Sequence, residues 1–195
     1  VADILRVKLR LGLFEDPYTD PHELPAMSND QSLATARESA LQSIVLLENR
    51  DGALPLNRDN LGSLAVVGPM ADDPYEQLGT WVFDGDEELS VTPWRAIQDM
   101  AGDEVELRFV RAMENSRSRV NPGFDEAVAA AAQCDAALLF LGEESILSGE
   151  AHSRADIGLP GDQVELVRRV RSTGKPVIAV ILAGRPLTLS DVVDE

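Results

Sequence analysis

The sequence predicts an α/β fold, a mostly parallel sheet flanked by helices, that is incomplete at both ends. Four short, continuous apolar runs occupy residues 63–69, 105–110, 136–144 and 177–184. Runs of this kind are typical of strands that are buried on both faces of a sheet. A helical pattern separates each run from the next, and this alternation of strands and helices indicates a parallel sheet with helical crossovers.

The N-terminal part is predicted to lie outside this sheet. Within residues 4–14, three leucines recur at helical spacing between basic residues, which predicts an amphipathic helix that ends near Gly12. Residues 15–33 contain three prolines and several Asp and Asn residues, which predicts a linker or a long surface crossing. A second helix is expected from about Ala34, followed by a short extended segment over 45–49.

Helix start and stop signals separate the four runs. Thr92 suits the N-cap of a helix, Pro93 its first turn and Gly102 its end. Further helices are predicted from Asn121, over residues 161–172 and from Leu187 onward, the last as the start of a helix that is cut off.

The composition excludes several classes of function. Acidic residues outnumber basic ones 34 to 17, giving a net charge of −17, which argues against nucleic acid or an anionic membrane as partner. The acidity fits either a soluble surface or a salty habitat. No apolar run approaches the roughly 20 residues of a membrane span. One cysteine, Cys134, and two histidines make a disulfide framework or a zinc site untenable, so neither a metal nor another cofactor is expected.

The loop over residues 142–160 is the richest candidate for a functional site. Ligands of parallel α/β sheets meet the loops that leave the carboxyl ends of the strands, and this loop follows the third predicted strand. It contains Glu143, Glu144, Glu150, His152 and Arg154. A glycosidase needs one carboxyl group to donate a proton and a second to attack or to activate water, and any of the three glutamates fits the first role. A solvated or salt-bridged glutamate is the plainer interpretation of each.

Other chemistries lack their motifs. The first strand leads into GPMADD, which has no further glycines to hold a pyrophosphate, and no GxxxxGK[ST] sequence occurs. The G-x-S-x-G elbow of serine hydrolases is also missing.

Several segments together resemble one family, the glycoside hydrolases of family 3, of the β-glucosidase type. ARESALQSIVLLENRDGALPL is similar to the entry into the second domain of that family, and AVVGPMADD to its first strand and turn. LGEESILSGEAHSRADIGLP resembles its acid/base loop, and GKPVIAVILAGRPLTL its next strand and turn. The opening ILRVKLRLGLFEDPY resembles the last helix of the preceding (β/α)8 barrel.

The resemblance implies a division of the chain and a role for each loop residue. Residues 1–20 would be the end of the barrel, 21–35 a linker, and 36–195 the truncated α/β sandwich domain that carries the acid/base loop. Glu150 matches the acid/base glutamate of a retaining exo-acting β-glycosidase. The resemblance also implies supporting roles for three neighbours. Glu143 is expected to have a structural role in the site. His152 and Arg154 are expected either to contact substrate or to form a salt bridge within the loop.

The departure from the family pattern concerns the nucleophile. The SDW-type motif that supplies the family's aspartate nucleophile is not in this sequence, so the chain is expected to be inactive alone and to be part of a longer polypeptide. Its expected partners are a terminal β-linked glucoside or oligosaccharide and the missing barrel. The resemblance also implies a periplasmic or secreted location. The alternative is a non-catalytic α/β module that binds carbohydrate or holds domains together.

Overall fold

A computed structural model describes residues 1–23 and 29–193, apart from the side chain of residue 51. The chain forms two compact units, Val1–Leu47 and Glu48–Glu195. Residues 24–28 of the predicted linker, and the last two residues of the predicted final helix, lie outside the described part. Among residues 1–23 and 29–193, no helix has the length and apolar character that crossing a bilayer requires.

In the described part of the first unit there are two α-helices, and all of their side chains are exposed. Helix α1 spans Ala2–Arg10, close to the predicted range, and a turn follows in which Gly12 has a φ of +69°. Helix α2 spans Asp30–Ser43 and begins earlier than predicted. The reason is a cap: the Asn29 side chain accepts a hydrogen bond from the Ser32 amide at 3.0 Å. Residues 44–49 follow without forming a strand.

The second unit is built on a four-stranded parallel sheet. Its strands are β1 (Ser63–Val67), β2 (Glu106–Val110), β3 (Ala136–Gly142) and β4 (Val177–Leu182). They lie in the order β2-β1-β3-β4, and every neighbouring pair is parallel. The α/β class and the parallel sheet predicted from the sequence are confirmed.

Among the residues of this unit that the structure describes, four α-helices accompany the sheet: α3 (Pro93–Ala101), α4 (Phe124–Gln133), α5 (Gln163–Arg171) and the short α6 (Ser190–Val193). The start of α3 is the one predicted, since the Thr92 hydroxyl accepts a hydrogen bond from the Arg95 amide at 3.3 Å. Its end is marked by Gly102, whose φ is +58°. The predicted start of α4 at Asn121 is wrong by a few residues, because Gly123 occupies the N-cap.

Alternate residues of the strands belong to two apolar cores, one on each face of the sheet. Along β1, Ala65 and Val67 pack with residues of α4 and α5, whereas Leu64 and Val66 pack with residues of α3. Both faces are therefore covered, which explains why the strands read as continuous apolar runs.

Candidate functional site

The carboxyl end of β3 is fixed by a glycine that no other residue could replace without strain. Gly142 has a φ of +142°, and a Cβ built on it would lie 1.7 Å from the Leu182 carbonyl oxygen. The strand therefore ends at Gly142 and not at Glu144 as predicted, and the chain turns there into the loop.

Gln163, the first residue of α5, holds this end of the strand in place. Its side-chain oxygen accepts a hydrogen bond from the Gly142 amide at 2.8 Å, and its amide group donates to the Gly142 carbonyl at 2.8 Å. The same amide group donates to the carbonyls of Ser116 and Pro160 at 3.0 and 3.1 Å. Gln163 is fully buried, and both polar atoms of its side chain have hydrogen-bond partners, as buried polar groups require.

Glu143 lies at the start of the loop, where it is buried and forms ion pairs with Arg154 and Arg185. Its side chain has no exposed surface, and its two oxygens accept hydrogen bonds from two arginines. Arg154 donates to one oxygen, and the Nε of Arg185 donates to the other at 3.1 Å. The carboxylate oxygens are thus occupied by partners within the domain.

The two arginines connect Glu143 to the backbone of the loop. Arg154 also donates from Nη2 to the Gly158 carbonyl at 3.0 Å. Arg185 donates from Nη2 to the carbonyls of Leu147 and His152, the latter at 3.0 Å. The loop is therefore fastened at several points to one buried carboxylate.

Glu144 is held by the loop that follows β2. Its side chain accepts hydrogen bonds from the Ser116 hydroxyl at 2.5 Å and from Arg117 Nε at 3.0 Å. Burial favours the neutral form of this carboxyl, but the hydrogen bonds and charge of Arg117, together with Ser116, outweigh it and lower its pKa. Glu144 is therefore ionised and engaged at neutral pH.

Glu150 differs from both other glutamates. It lies in a tight turn between Gly149 and Ala151, whose φ angles are +103° and +63°, and the His152 amide closes the turn on the Gly149 carbonyl at 3.2 Å. The Glu150 side chain is exposed and makes no hydrogen bond or ion pair with any residue that the structure describes. The turn presents this carboxyl group to solvent.

His152 is exposed and turned back onto its own loop. Its Nδ1 lies 2.9 Å from the Ser148 carbonyl oxygen. Arg154 forms a salt bridge with Glu143 within the loop, which is one of the two alternatives that the sequence left open. A contact of either side chain with substrate stays a prediction.

The loop after β1 also contacts the loop that carries Glu150. The Thr80 hydroxyl donates to the Ser145 carbonyl at 3.0 Å, and the Glu76 carboxylate accepts from the Ser145 amide. A Cβ added to Gly149 would lie 2.3 Å from the Thr80 methyl carbon and 3.6 Å from the Trp81 ring. Glycine is needed there both for its φ and for this close approach.

Two cavities lie near the loop. The smaller, about 170 Å³, is lined by residues from the loops after β1, β3 and β4, among them Glu76, Glu143 and Glu144. The larger, about 430 Å³, is an open cleft beside Arg117, Arg119 and Arg154. Glu150 lines neither of them. Within the described ranges, no group of three or more His, Cys, Asp or Glu side chains is arranged to hold a metal ion.

Sequence reasoning missed Arg185, Arg117 and Gln163. Arg185 belongs to the AGRP segment that follows the fourth predicted strand. Its location at a strand end could therefore be predicted, but its ion pair with Glu143 could not. Gln163 lies in the first turn of a predicted helix, where a polar residue gives no signal of burial.

The fold and this loop together define an α/β domain with a carboxylate-rich loop at the carboxyl edge of its parallel sheet. Residues 44–195 match the model of the glycosyl hydrolase family 3 C-terminal domain. The chain belongs to that family.

Relatives of known name agree with this assignment. The chain is 35% identical over 211 residues to the periplasmic beta-glucosidase of Salmonella typhimurium, an alignment that covers 95% of this chain and 27% of that protein. It is 34% identical over 196 residues to a beta-xylosidase of Formosa agariphila, covering 98% of this chain and 27% of that protein. The chain therefore spans about a quarter of the length of these relatives.

Solved structures show the same fold. The crystal structure of beta-glucosidase from Listeria innocua in complex with glucose superimposes with a TM-score of 0.83 at 33% sequence identity. The superposition covers 97% of this chain and 25% of that one. The predicted membership in the family is confirmed.

Proposed function

We propose that this chain supplies the acid/base carboxylate, Glu150, of a retaining exo-acting β-glycosidase that removes terminal non-reducing β-linked sugars. The relatives are named as beta-glucosidase and beta-xylosidase, which supports a β-linked glycoside as the substrate class. In this proposal, residues 1–20 end the barrel domain, 21–35 form the linker, and the domain from residue 36 carries the acid/base loop.

The single observation that carries the proposal is the contrast among the three glutamates of the loop. A general acid must reach the leaving oxygen of its substrate and must carry a proton before bond cleavage. Both oxygens of Glu143 are occupied by arginines, and Glu144 is held ionised by Arg117. Glu150 alone among these three is exposed and has no partner within the described residues, so it is free to engage a substrate.

The reaction needs a second carboxylate from outside this chain. In a retaining glycosidase the two carboxyl groups lie about 5–5.5 Å apart: one attacks the anomeric carbon while the other protonates the leaving oxygen. Glu150 then acts as a base and takes a proton from the water that releases the sugar. The barrel of the complete polypeptide would supply the nucleophile.

The test is Glu150→Ala in the complete polypeptide, assayed on aryl β-glucosides with poor and with activated leaving groups, with and without azide. Removing the proton donor should lower turnover of poor leaving groups by about 10²–10⁴-fold. The loss should be milder on activated leaving groups, and azide should restore activity because it replaces the water that needs a base.

A matched control is Glu126→Ala. Glu126 is exposed on α4 and its side chain has no hydrogen bond or ion pair with the described residues, so its removal should leave both rates unchanged. If Glu150→Ala also leaves all rates unchanged, the proton donor lies elsewhere and the chain is a non-catalytic module.

A further inference from the structure

We propose that Arg185 is a positioning residue that holds the turn carrying Glu150 in a fixed place at the carboxyl ends of β3 and β4. This inference rests on the proposed function, in which Glu150 is the acid/base. Its basis is a single guanidinium group that binds the loop on both sides of Glu150. Arg185 donates to the carbonyl of Leu147, three residues before Glu150, and to that of His152, two residues after it.

The guanidinium is itself fixed relative to the sheet. Its Nε donates to Glu143 at 3.1 Å, and the Glu143 side chain is completely buried. Glu143 follows β3 and Arg185 follows β4, and these strands are neighbours whose ends pair Gly142 with Leu182. The carbonyls on either side of Glu150 are thus tied through one planar group to the two strand ends.

The chemistry of arginine is needed for this arrangement. A guanidinium presents several donors in a rigid fork, whereas the ammonium of lysine is a point charge on a flexible stem. Lysine at this position could keep the charge beside Glu143 but could not hold that carboxylate and two carbonyls with the fixed geometry of a guanidinium fork. The side chain of Arg185 is mostly buried, with 22% exposed, so water does not readily replace these bonds.

Arg154 is not equivalent to Arg185. Both arginines bind Glu143, but Arg154 otherwise binds the Gly158 carbonyl, eight residues after Glu150, whereas Arg185 binds the carbonyls three residues before and two residues after Glu150. Loss of Arg154 would loosen the end of the loop. Loss of Arg185 would free the turn itself while the strands stay paired.

The expected consequence is a loss of acid catalysis that depends on the leaving group. A displacement of a catalytic group by about 1 Å can cost about 100-fold in rate. In the complete polypeptide, Arg185→Met should lower kcat/KM on poor aryl leaving groups by about 10- to 100-fold. Activated leaving groups, which need little protonation, should lose less than about threefold.

The decisive measurement combines Arg185→Met with Glu150→Ala. If Arg185 acts through Glu150, the double variant should be within about twofold of Glu150→Ala alone, since effects on one unit are not additive. Arg169→Met is the matched control, because Arg169 forms a surface ion pair with Asp125 between α4 and α5. The control should leave the dependence on leaving group unchanged.

The outcomes separate the two proposals. Two results would show that Arg185 has a merely structural role and would overturn this inference alone. One is an equal loss of kcat/KM for Arg185→Met on all leaving groups. The other is a loss for the double variant that equals the product of the two single losses. Unchanged rates for Arg185→Met would overturn it too. Should Arg185→Met fail to fold, Arg185→Lys carries the test, with an expected loss of about tenfold confined to poor leaving groups. If Glu150→Ala itself has no effect, the proposed function fails first.

Discussion

Replacing Gln163 by Met should destabilise the sheet domain at the point where β3 becomes the functional loop. Met is close to Gln in length and volume, so the change removes hydrogen bonds without opening a cavity. The buried amide of Gly142 loses its acceptor, and three carbonyl groups lose their donor.

The size of the effect follows from these groups. An unpaired buried amide costs about 1–3 kcal/mol, and the loss of the two donors of the Gln163 side chain adds about 1–2 kcal/mol. Because Met no longer requires burial of a polar amide, part of the loss is offset. A decrease of about 3 kcal/mol in the free energy of unfolding is expected, which lowers Tm by roughly 6–12 °C for a chain of this size.

Urea unfolding followed by tryptophan fluorescence measures this change. The control is Gln98→Met, since Gln98 is exposed on α3 and its side chain makes no hydrogen bond within the described residues. The control should change the free energy of unfolding by less than about 0.5 kcal/mol. If Gln163→Met matched the control, the buried hydrogen bonds would carry no stability and the reasoning would be refuted.

Two further predictions concern titratable groups. The lowered pKa of Glu144 contributes stability that is fully present above the ordinary glutamate pKa of about 4.3 and is lost as pH falls from there through the lowered folded-state pKa. In a plot of the free energy of unfolding against pH, Glu144→Gln should therefore lose less stability on acidification than the unmodified chain does. The curve for Glu126→Gln should run parallel to that of the unmodified chain. Burial raises the pKa of the Cys134 thiol and shields it, so iodoacetamide should label it only in urea. Labelling in the native state at the rate of a free thiol would contradict its burial.

The fold was largely predictable because its signals are local. The apolar runs of β1 to β4 and the Thr92–Gly102 cap signals of α3 depend on a few adjacent residues each. Boundaries were less predictable where a distant partner sets them. The end of β3 depends on Gly142 avoiding the Leu182 carbonyl and on Gln163, which lies 21 residues further on.

The candidate site was predictable only in part, for the same reason. The long polar loop and Glu150 follow from position and resemblance. The pairing of Glu143 with Arg185 joins residues 42 apart in the chain, and it requires β3 and β4 to be neighbours in the sheet. No local pattern encodes that adjacency.

The strand order also has a consequence for synthesis of the chain. Strand β1 is nearly all apolar and lies inside the sheet, yet its partner residues arrive late: Leu64 pairs with Leu107 of β2 and with Ala136 of β3. At about 5–20 residues per second on the ribosome, the second partner emerges roughly 4–14 s after β1. Both edges of this apolar strand are unpaired until β2 emerges, and one edge stays unpaired until β3 emerges, so this domain should depend on chaperones while it is being made.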